Sequence, residues 1–263
     1  MNLRLGRLSL GGSFAFQEDN ISGRQLYTTR GLTYSANASM PVTSKLSLSA
    51  NYSGFRQCQY DGTAHVNDST RVDRNMNSLS LTASYNISTE QFGHYFSLTG
   101  NGSLNEDNNR TIAGAGDVAT FATGASYSLS VVPIETNFGL NYSYQLSHGY
   151  DSEYSTSVYT LSASKAFLKN RNLSLNAALS LVDNRMDSDK SLTLGGNLSA
   201  AYTLAKVHNF SLGVNYSSYA NTNLVVDEFL REKGSDFSCS LSYSFSFTAF
   251  SIKRRPKEQI ARY

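Results

Sequence analysis

The sequence predicts an all-β protein, an antiparallel up-and-down transmembrane β-barrel of about twelve strands. Three observations lead to this fold class: strict alternation of apolar and polar residues, unusually long strands, and the order of short and long connections. The stretch 45–54, KLSLSANYSG, shows the alternation, with leucine, alanine and tyrosine on one side of a strand and serine and asparagine on the other. The polar side has no charged and no long side chain.

Twelve segments follow this pattern in order along the chain. In the first six the apolar side is built from Leu, Phe, Tyr, Ala and Met, and these segments are 8–16, 32–40, 46–52, 79–87, 96–104 and 121–131. In the last six Leu, Ala, Tyr and Phe dominate, and these are 138–146, 159–167, 173–181, 192–204, 210–216 and 237–247. Most of these strands are predicted to reach about 9–14 residues, whereas strands of globular proteins average about 5–6 and a membrane-crossing strand needs about 9–11.

The connections alternate between short and long. Short ones are predicted at 41–44, 88–93, 132–135, 168–172 and 205–209, and the longer polar ones include 56–77, 105–116 and 220–235. In an antiparallel meander this order places every short turn at one end of the sheet, the short-turn end, and every long loop at the other, the long-loop end. Backbone groups in lipid must be paired, so such a sheet is expected to close on itself.

Aromatic residues are predicted to form two girdles that face lipid at the two headgroup levels, with leucine and alanine between them. Their positions near the strand ends indicate an outer girdle at the long-loop end with Tyr52, Tyr142 and Tyr216. The other girdle, at the short-turn end, contains Tyr85, Tyr127, Tyr202, Tyr243 and Phe245.

The polar side is predicted to line the lumen. Representative lumen-lining residues are Ser47, Ser49, Asn51, Ser84, Asn101, Ser126, Asn141, Asn197, Asn215 and Ser242. Ion-selective pores use rings of charged side chains, and the middle of this set contains none. Side chains this short cannot fill a barrel of twelve or more strands, so the interior is expected to hold water, an inward-folded loop or a plug.

Two predicted hairpins, KSLTLGGNLSAAYTLAKVHNFSLGVNYSSYANT (190–222) and YTLSASKAFLKNRNLSLNAALSLVDN (159–184), resemble hairpins of outer-membrane β-barrel proteins from Bacteroidota-type bacteria. Such barrels are often the C-terminal part of longer chains. The resemblance implies a bacterial outer-membrane location with extracellular long loops and periplasmic termini. It also implies contact with the lipid bilayer and the barrel-assembly machinery, and an upstream plug or surface domain as a further partner.

The domain prediction is a barrel over 1–250 followed by a basic periplasmic tail over 251–263. Many outer-membrane barrels end on an aromatic residue, whereas here YSFSFTAF precedes SIKRRPKEQIARY, so the assembly signal is expected at 245–250. The start of the chain alternates like the rest and contains no apolar signal-peptide core. We therefore expect the barrel to belong to a longer exported protein with strands or a domain upstream.

Composition limits the other classes of protein. The net charge of +2 gives no electrostatic reason to bind nucleic acid, and no apolar run is long enough for a membrane-spanning helix. Charged residues make up 16% of the chain, against about 25% in ordinary soluble domains. A soluble β-sandwich would carry charge on its long exposed strands, and a β-solenoid would not segregate its loops by length.

Catalytic and metal-binding patterns are weak, and neither an enzyme nor a cofactor is expected. His65 and His148 fall in predicted long loops and His94 and His208 in short turns, so no histidine is expected on a lipid-facing strand position. A calcium site at Asp183, Asp187 and Asp189 is a weak candidate because the loop lacks EF-hand spacing and a following glutamate. Cys58 and Cys239 lie far apart in sequence and are interpreted as two separate, mostly buried thiols.

The expected function is passive: an uncharged channel, or a membrane anchor and translocation unit for an upstream domain. One alternative is the C-terminal barrel of a plugged nutrient receptor of the TonB-dependent type. An outer-membrane enzyme is the other alternative, and it would need a histidine or loop aspartate whose replacement abolishes activity.

Overall fold

The computed structural model describes residues 2–19, 27–61, 72–107, 117–149, 152–167, 172–187, 189–205, 207–223 and 232–245. These residues form one antiparallel sheet of thirteen strands, in which each strand pairs with its neighbours in sequence. The first seven strands are β1 Asn2–Leu5, β2 Leu8–Glu18, β3 Tyr27–Pro41, β4 Leu46–Asp61, β5 Val72–Ser88, β6 Phe92–Asp107 and β7 Val118–Val131. The remaining six are β8 Thr136–His148, β9 Glu153–Phe167, β10 Leu173–Met186, β11 Asp189–Leu204, β12 His208–Asn223 and β13 Glu232–Phe245.

The antiparallel up-and-down topology predicted from the alternation is confirmed. The twelve predicted strands correspond to β2–β13, and the start of the chain adds the short strand β1. The chain reverses between β1 and β2 at Gly6, whose φ of +61° lies in the left-handed region that glycine adopts without strain. Within the described residues no ladder joins β13 to β1 or β2, so the sheet is open.

The strands are longer than predicted, and most of the extra length lies at the long-loop end. β4 continues to Asp61 and β5 begins at Val72, so most of the segment 56–77 is strand rather than loop. The same holds at Asp107, where β6 ends, and at Asn223, where β12 ends. Polar residues occupy both faces of these extensions, which is why hydrophobic periodicity did not indicate them.

The turns at the short-turn end agree with the prediction to within a few residues. The described turns occupy 42–45, 89–91 and 132–135, and the third contains a single turn of 3-10 helix, Val132–Ile134. The other two connections join β9, which ends at Phe167, to β10 at Leu173, and β11, which ends at Leu204, to β12 at His208. At the other end the predicted strict alternation fails twice, because only four residues separate His148 of β8 from Glu153 of β9 and only two separate Met186 of β10 from Asp189 of β11. No helix among the described residues is long and apolar enough to cross a membrane.

The strands are staggered by about one residue per strand. Leu46, the first residue of β4, begins a row of directly paired residues that runs through Tyr85, Phe96, Tyr127, Leu140, Leu161, Leu179 and Gly196. Eight strands later the row reaches Tyr216, eight residues beyond His208, the first residue of β12. With about 3.3 Å per residue and about 4.8 Å between strands, this stagger corresponds to a tilt of about 35°. Membrane-spanning barrels have strand tilts of about 35–45°.

Candidate functional site: the polar face of the sheet

The sheet has two chemically distinct faces. The registers run without a β-bulge, so directly paired residues stay on one face from strand to strand. Serine, threonine, asparagine and glycine dominate one side, the polar face, and leucine, alanine and aromatic residues dominate the other, the apolar face. All ten residues predicted to line the lumen lie on the polar face: Ser47, Ser49, Asn51, Ser84, Asn101, Ser126, Asn141, Asn197, Asn215 and Ser242.

Several of these residues are brought into direct contact. Ser47 Oγ lies 2.6 Å from Ser84 Oγ, and a row of paired residues continues from Ser84 through Ser97 and Ser126 to Asn141. The hydroxyls of Ser211 and Ser242 are likewise 2.6 Å apart. These cross-strand bonds hold short polar side chains along the wall and leave their remaining donors and acceptors for water or a solute.

An amide chain links three strands. The Nδ2 of Asn197 donates to Oδ1 of Asn215 at 2.5 Å, and the Nδ2 of Asn215 donates to Oγ of Ser238 at 3.3 Å. The residues lie on β11, β12 and β13, at the same level of the sheet because they are directly paired. Asn197 and Asn215, both predicted to line the lumen, are therefore joined in one hydrogen-bonded chain with Ser238 of the same row.

Charge is absent from the middle of the polar face. Among the side chains that the structure describes in β2–β13, the charged ones of this face lie at the long-loop end, at Arg74, Asp107, Asp189 and Asp236. Arg74 Nε and Asp107 Oδ2 form an ion pair at 3.2 Å. The wall between this end and the short turns thus has hydroxyls, amides and glycines, and no ring of ionised groups.

Short side chains leave depressions on this face. One cavity of about 360 Å³ lies over β7–β10 near the short-turn end and is lined by Ser130, Asn137, Ser164, Ser174 and Asn176, among others. A second, of about 290 Å³, lies beside it over β7–β11. Hydroxyl and amide groups line both cavities, and Glu135 and Lys165 also line the first, so both can hold water or a small polar solute.

The sequence did not indicate the polar row at the long-loop end. Gln17, Gly31, Gln57, Arg74 and Asp107 are directly paired across β2–β6. Phe55 lies beside this row, and a cavity of about 250 Å³ is lined by Gln17, Asp19, Thr29, Gly31, Phe55 and Gln57. Gln57 and Arg74 lie in the segment 56–77 and Asp107 lies in 105–116, both of which were predicted to be loops. The alternation of phenylalanine and glutamine at 55, 57 and 59 is the one signal that could have revealed it.

The predicted girdle residues all lie on the opposite, apolar face. Tyr85, Tyr127, Tyr202, Tyr243 and Phe245 fall within the last five residues of their strands at the short-turn end. Tyr52, Tyr142 and Tyr216 lie near the middle of β4, β8 and β12 rather than at the ends. β4 and β12 extend further at the long-loop end than predicted, whereas Tyr142 is the central residue of β8. The predicted girdle residues therefore share one face, and that they form two girdles at the headgroup levels stays a prediction.

Charges on the apolar face mark the limit of the apolar band. They cluster at the long-loop end, as in the ion pairs Arg30–Glu18 and Arg185–Asp183, each with a shortest distance of 3.0 Å. The charged residues at this end are Glu18, Arg30, Arg56, Asp73, Glu106, Glu153, Asp183, Arg185, Lys190 and Lys233. At the short-turn end Lys165 lies over the ring of Phe167, with Nζ 5.0 Å from its centroid. Between these ends the face is leucine, alanine and aromatic.

The apolar face is uncovered. Leu198 is 55% exposed and Leu241 78%, and no large side chain among the described residues is fully buried. Soluble monomers rarely expose a contiguous apolar patch above a few hundred Å². An apolar band across all the long strands therefore requires a partner other than water.

The structure places the weak metal-site candidates and the two cysteines differently from the prediction. Asp183 lies in β10, where its Oδ2 contacts Arg185 and, at 3.9 Å, Lys190, while Asp187 occupies the turn with φ of +48°. The described residues contain no group of three acidic, histidine or cysteine side chains that could hold a metal ion. Cys58 and Cys239 are not joined by a disulfide, and Cys239 is exposed rather than buried.

The histidine prediction was wrong in three places. His148, predicted in a long loop, is the last residue of β8 and lies on the apolar face at the long-loop end. His94 is the third residue of β6 and His208 the first of β12, and both lie on the apolar face. Neither has a serine partner. Each is bonded to a tyrosine of the next strand instead. His65, the segment 246–250 and the tail 251–263 lie outside the described residues.

No protein-family model matches the chain, and no curated protein matches it in sequence. The fold, however, has solved counterparts. The closed form of the ferric-catecholate import receptor Fiu from Escherichia coli K12 matches with a TM-score of 0.56 at 9% identity, over 93% of this chain and 57% of the receptor. This chain has the fold of an outer-membrane β-barrel. The open form of the same receptor gives a TM-score of 0.54 at 10% identity, over 91% of this chain and 56% of the receptor.

A third match covers nearly the whole of its counterpart. OmpT, an outer membrane protein of Vibrio cholerae, aligns over 93% of this chain and 99% of its own length, with 8% identity and a TM-score of 0.41. This chain spans a little over half the length of the import receptor.

Proposed function

We propose that this outer-membrane barrel lies in the outer membrane of a Gram-negative, Bacteroidota-type bacterium and lets small neutral polar solutes pass. The uncharged polar face carries this proposal. Its rows of serine, threonine and asparagine, exemplified by Ser47–Ser84 and Asn197–Asn215, offer hydrogen bonds without an electrostatic barrier to either sign of ion. In the membrane the apolar face contacts acyl chains, and the extended ends of the strands carry the long loops outward.

The test is solute entry into vesicles. The refolded protein, reconstituted in phosphatidylcholine vesicles, is expected to admit arabinose and to show a reversal potential close to zero in a potassium chloride gradient. Vesicles without protein provide the control. No swelling in arabinose, or a strong preference for cations or anions, would contradict the proposal.

A second candidate is that this sheet forms one arc of a wider barrel, such as that of a receptor with a plugged lumen. Two observations favour it: the sheet is open between β13 and β2, and its matches above a TM-score of 0.5 cover only 56% and 57% of the receptor chain. The remaining strands would come from elsewhere in the same protein, and a plug would occupy a lumen that the short side chains leave empty.

Cross-linking separates the two candidates. Ser13 on β2 is replaced by cysteine and paired in turn with cysteine at Ser238, Ser240 or Ser242 on β13, in a background with Cys58→Ser and Cys239→Ser. A disulfide needs the two Cα atoms within about 7 Å, so an intramolecular bond forms only if β13 lies beside β2. Cross-linking in one register supports a channel closed by this chain alone. A folded protein that fails to cross-link in every register supports the wider barrel.

A further inference from the structure

The apolar face carries two clusters of the same construction near the short-turn end. In the first, Tyr127 Oη lies 2.9 Å from His94 Nδ1, and the centroids of the Phe96 and Tyr127 rings are 4.6 Å apart. In the second, Tyr243 Oη lies 2.8 Å from His208 Nδ1, and the centroids of the Phe210 and Tyr243 rings are 5.0 Å apart. We refer to these as the His94 cluster and the His208 cluster.

The two clusters share their sequence and register. Both histidines begin the pattern His-x-Phe-Ser-Leu, at 94–98 on β6 and at 208–212 on β12. In each, the phenylalanine pairs directly with the tyrosine of the next strand, and the tyrosine hydroxyl reaches diagonally back to the histidine. The same sequence pattern and the same contacts at two separate hairpins indicate a recurring local arrangement rather than a chance contact.

The clusters also lie at the same height in the sheet. The row of directly paired residues that starts at His94 passes through Leu129, Phe138, Ala163, Ala177 and Leu198 and reaches Val214. Val214 is six residues beyond His208 after six strands, which is the stagger of one residue per strand found for the whole sheet. Both histidines therefore lie at one level, within the aromatic band of the short-turn end.

Aromatic rings alone can form a girdle, so the two histidines are additional to it. Each imidazole is held by a hydrogen bond with a tyrosine hydroxyl. When the tyrosine hydroxyl donates to Nδ1, the neutral imidazole carries its proton on Nε2. That leaves one N–H donor at the headgroup level of a membrane, next to exposed phenylalanine rings. Phe96 is 45% exposed and Phe210 40% exposed.

We propose that each cluster binds one glycerophospholipid of the leaflet at the short-turn end. The Nε2–H of the histidine donates to a phosphodiester oxygen, and Phe96 or Phe210 contacts the first carbons of an acyl chain. Tyr127 and Tyr243 are positioning residues that hold the imidazole ring. This inference rests on the proposed placement in the membrane and is independent of the solute that passes through the barrel.

Native mass spectrometry of the full chain in detergent micelles tests the proposal, with dioleoylphosphatidylglycerol as the probe. At lipid concentrations where the unmodified protein carries two lipids, His94→Phe is expected to carry one, and His94→Phe with His208→Phe none. Tyr127→Phe keeps the aromatic rings at positions 96 and 127. It should weaken lipid binding at the His94 cluster about fivefold, since the hydrogen bond that orients the imidazole is lost. Dioleoylglycerol, which lacks the phosphate, is expected to bind neither cluster.

His148→Phe is the matched control. His148 lies on the same face but at the long-loop end, with Nδ1 4.0 Å from a carboxylate oxygen of Glu153, and its replacement should leave two lipids bound. Folding of every variant is checked by its heat-modifiable band on SDS gels, and arabinose entry is measured in parallel. The proposal is overturned if the folded double variant keeps both lipids or if dioleoylglycerol binds as well as the phospholipid. If the unmodified protein does not admit arabinose, the proposed channel is contradicted, whereas the number of bound lipids still tests the two lipid sites.

Discussion

The ring of Tyr34 lies directly over Gly54. The two residues are a directly paired couple on β3 and β4, and a Cβ atom at position 54 would overlap the tyrosine ring. From this place the Tyr34 hydroxyl donates to Oδ1 of Asn77 at 2.7 Å, and Tyr52 donates to the same oxygen at 2.9 Å. Because Gly54 has no side chain, the Tyr34 ring can lie over it, and the two hydrogen bonds to Asn77 connect β3, β4 and β5 on the apolar face.

Replacing Gly54 with alanine is expected to destabilise the sheet by about 1–3 kcal/mol, because the ring must move and the bond to Asn77 is lost. Gly102→Ala is the matched control, since Gly102 lies on the same face and a Cβ there would meet nothing within 4 Å. Urea unfolding in phosphatidylcholine vesicles measures both free energies. Equal changes in the two variants would contradict the role assigned to Gly54.

The facing of the strands is tested by neighbouring arginines. Leu198→Arg, on the apolar face near the middle of β11, is expected to cost about 2–4 kcal/mol in a bilayer. Asn197→Arg, on the polar face, should cost much less, although it removes the bond to Asn215. The same vesicle titration measures both, and a larger cost for Asn197→Arg would mean that the polar face meets lipid.

A single carboxylate should convert the neutral wall into a cation-selective one. Asn141→Asp changes the charge at the middle of the polar face with little change in shape, and we expect the reversal potential to shift toward that of potassium. Gln91→Glu makes the same chemical change in a short turn at 89–91, away from the wall, and should leave the potential unchanged. An unchanged potential in Asn141→Asp would show that this residue does not line the conducting path.

The apolar face predicts how the protein folds. With Leu241 78% exposed and no large side chain fully buried among the described residues, the chain lacks the core that stabilises soluble domains. We expect β-type circular dichroism and a heat-modifiable band only with detergent or lipid present. A soluble, folded monomer in plain buffer would contradict the membrane placement.

Alternation alone was enough to predict the strands and the two faces, because both depend on a period of two. Leu198 and Asn197 are adjacent in sequence and lie on opposite faces for that reason. The ends of the strands could not be predicted in the same way. Around Gln57 and Arg74 both faces are polar, so the strand continues without any change in hydrophobicity to show it.

The His94 and His208 clusters escaped prediction for a different reason. Both histidines follow a short turn, and the strand start was predicted four residues too late in β6 and two residues too late in β12, so each histidine was taken for a turn residue. Their partners Tyr127 and Tyr243 are more than thirty positions away in sequence. Only the register of β6 with β7, and of β12 with β13, brings each pair together.

The uniform wall has a consequence for how such a protein can change size. Each hairpin pairs only with its immediate neighbours and presents much the same serine and asparagine surface as the next. Duplicating or deleting one hairpin, such as β11–β12, would preserve the alternation, the stagger and the lining while changing the circumference by two strands. The number of strands can therefore change in steps of two while every strand keeps one polar and one apolar face.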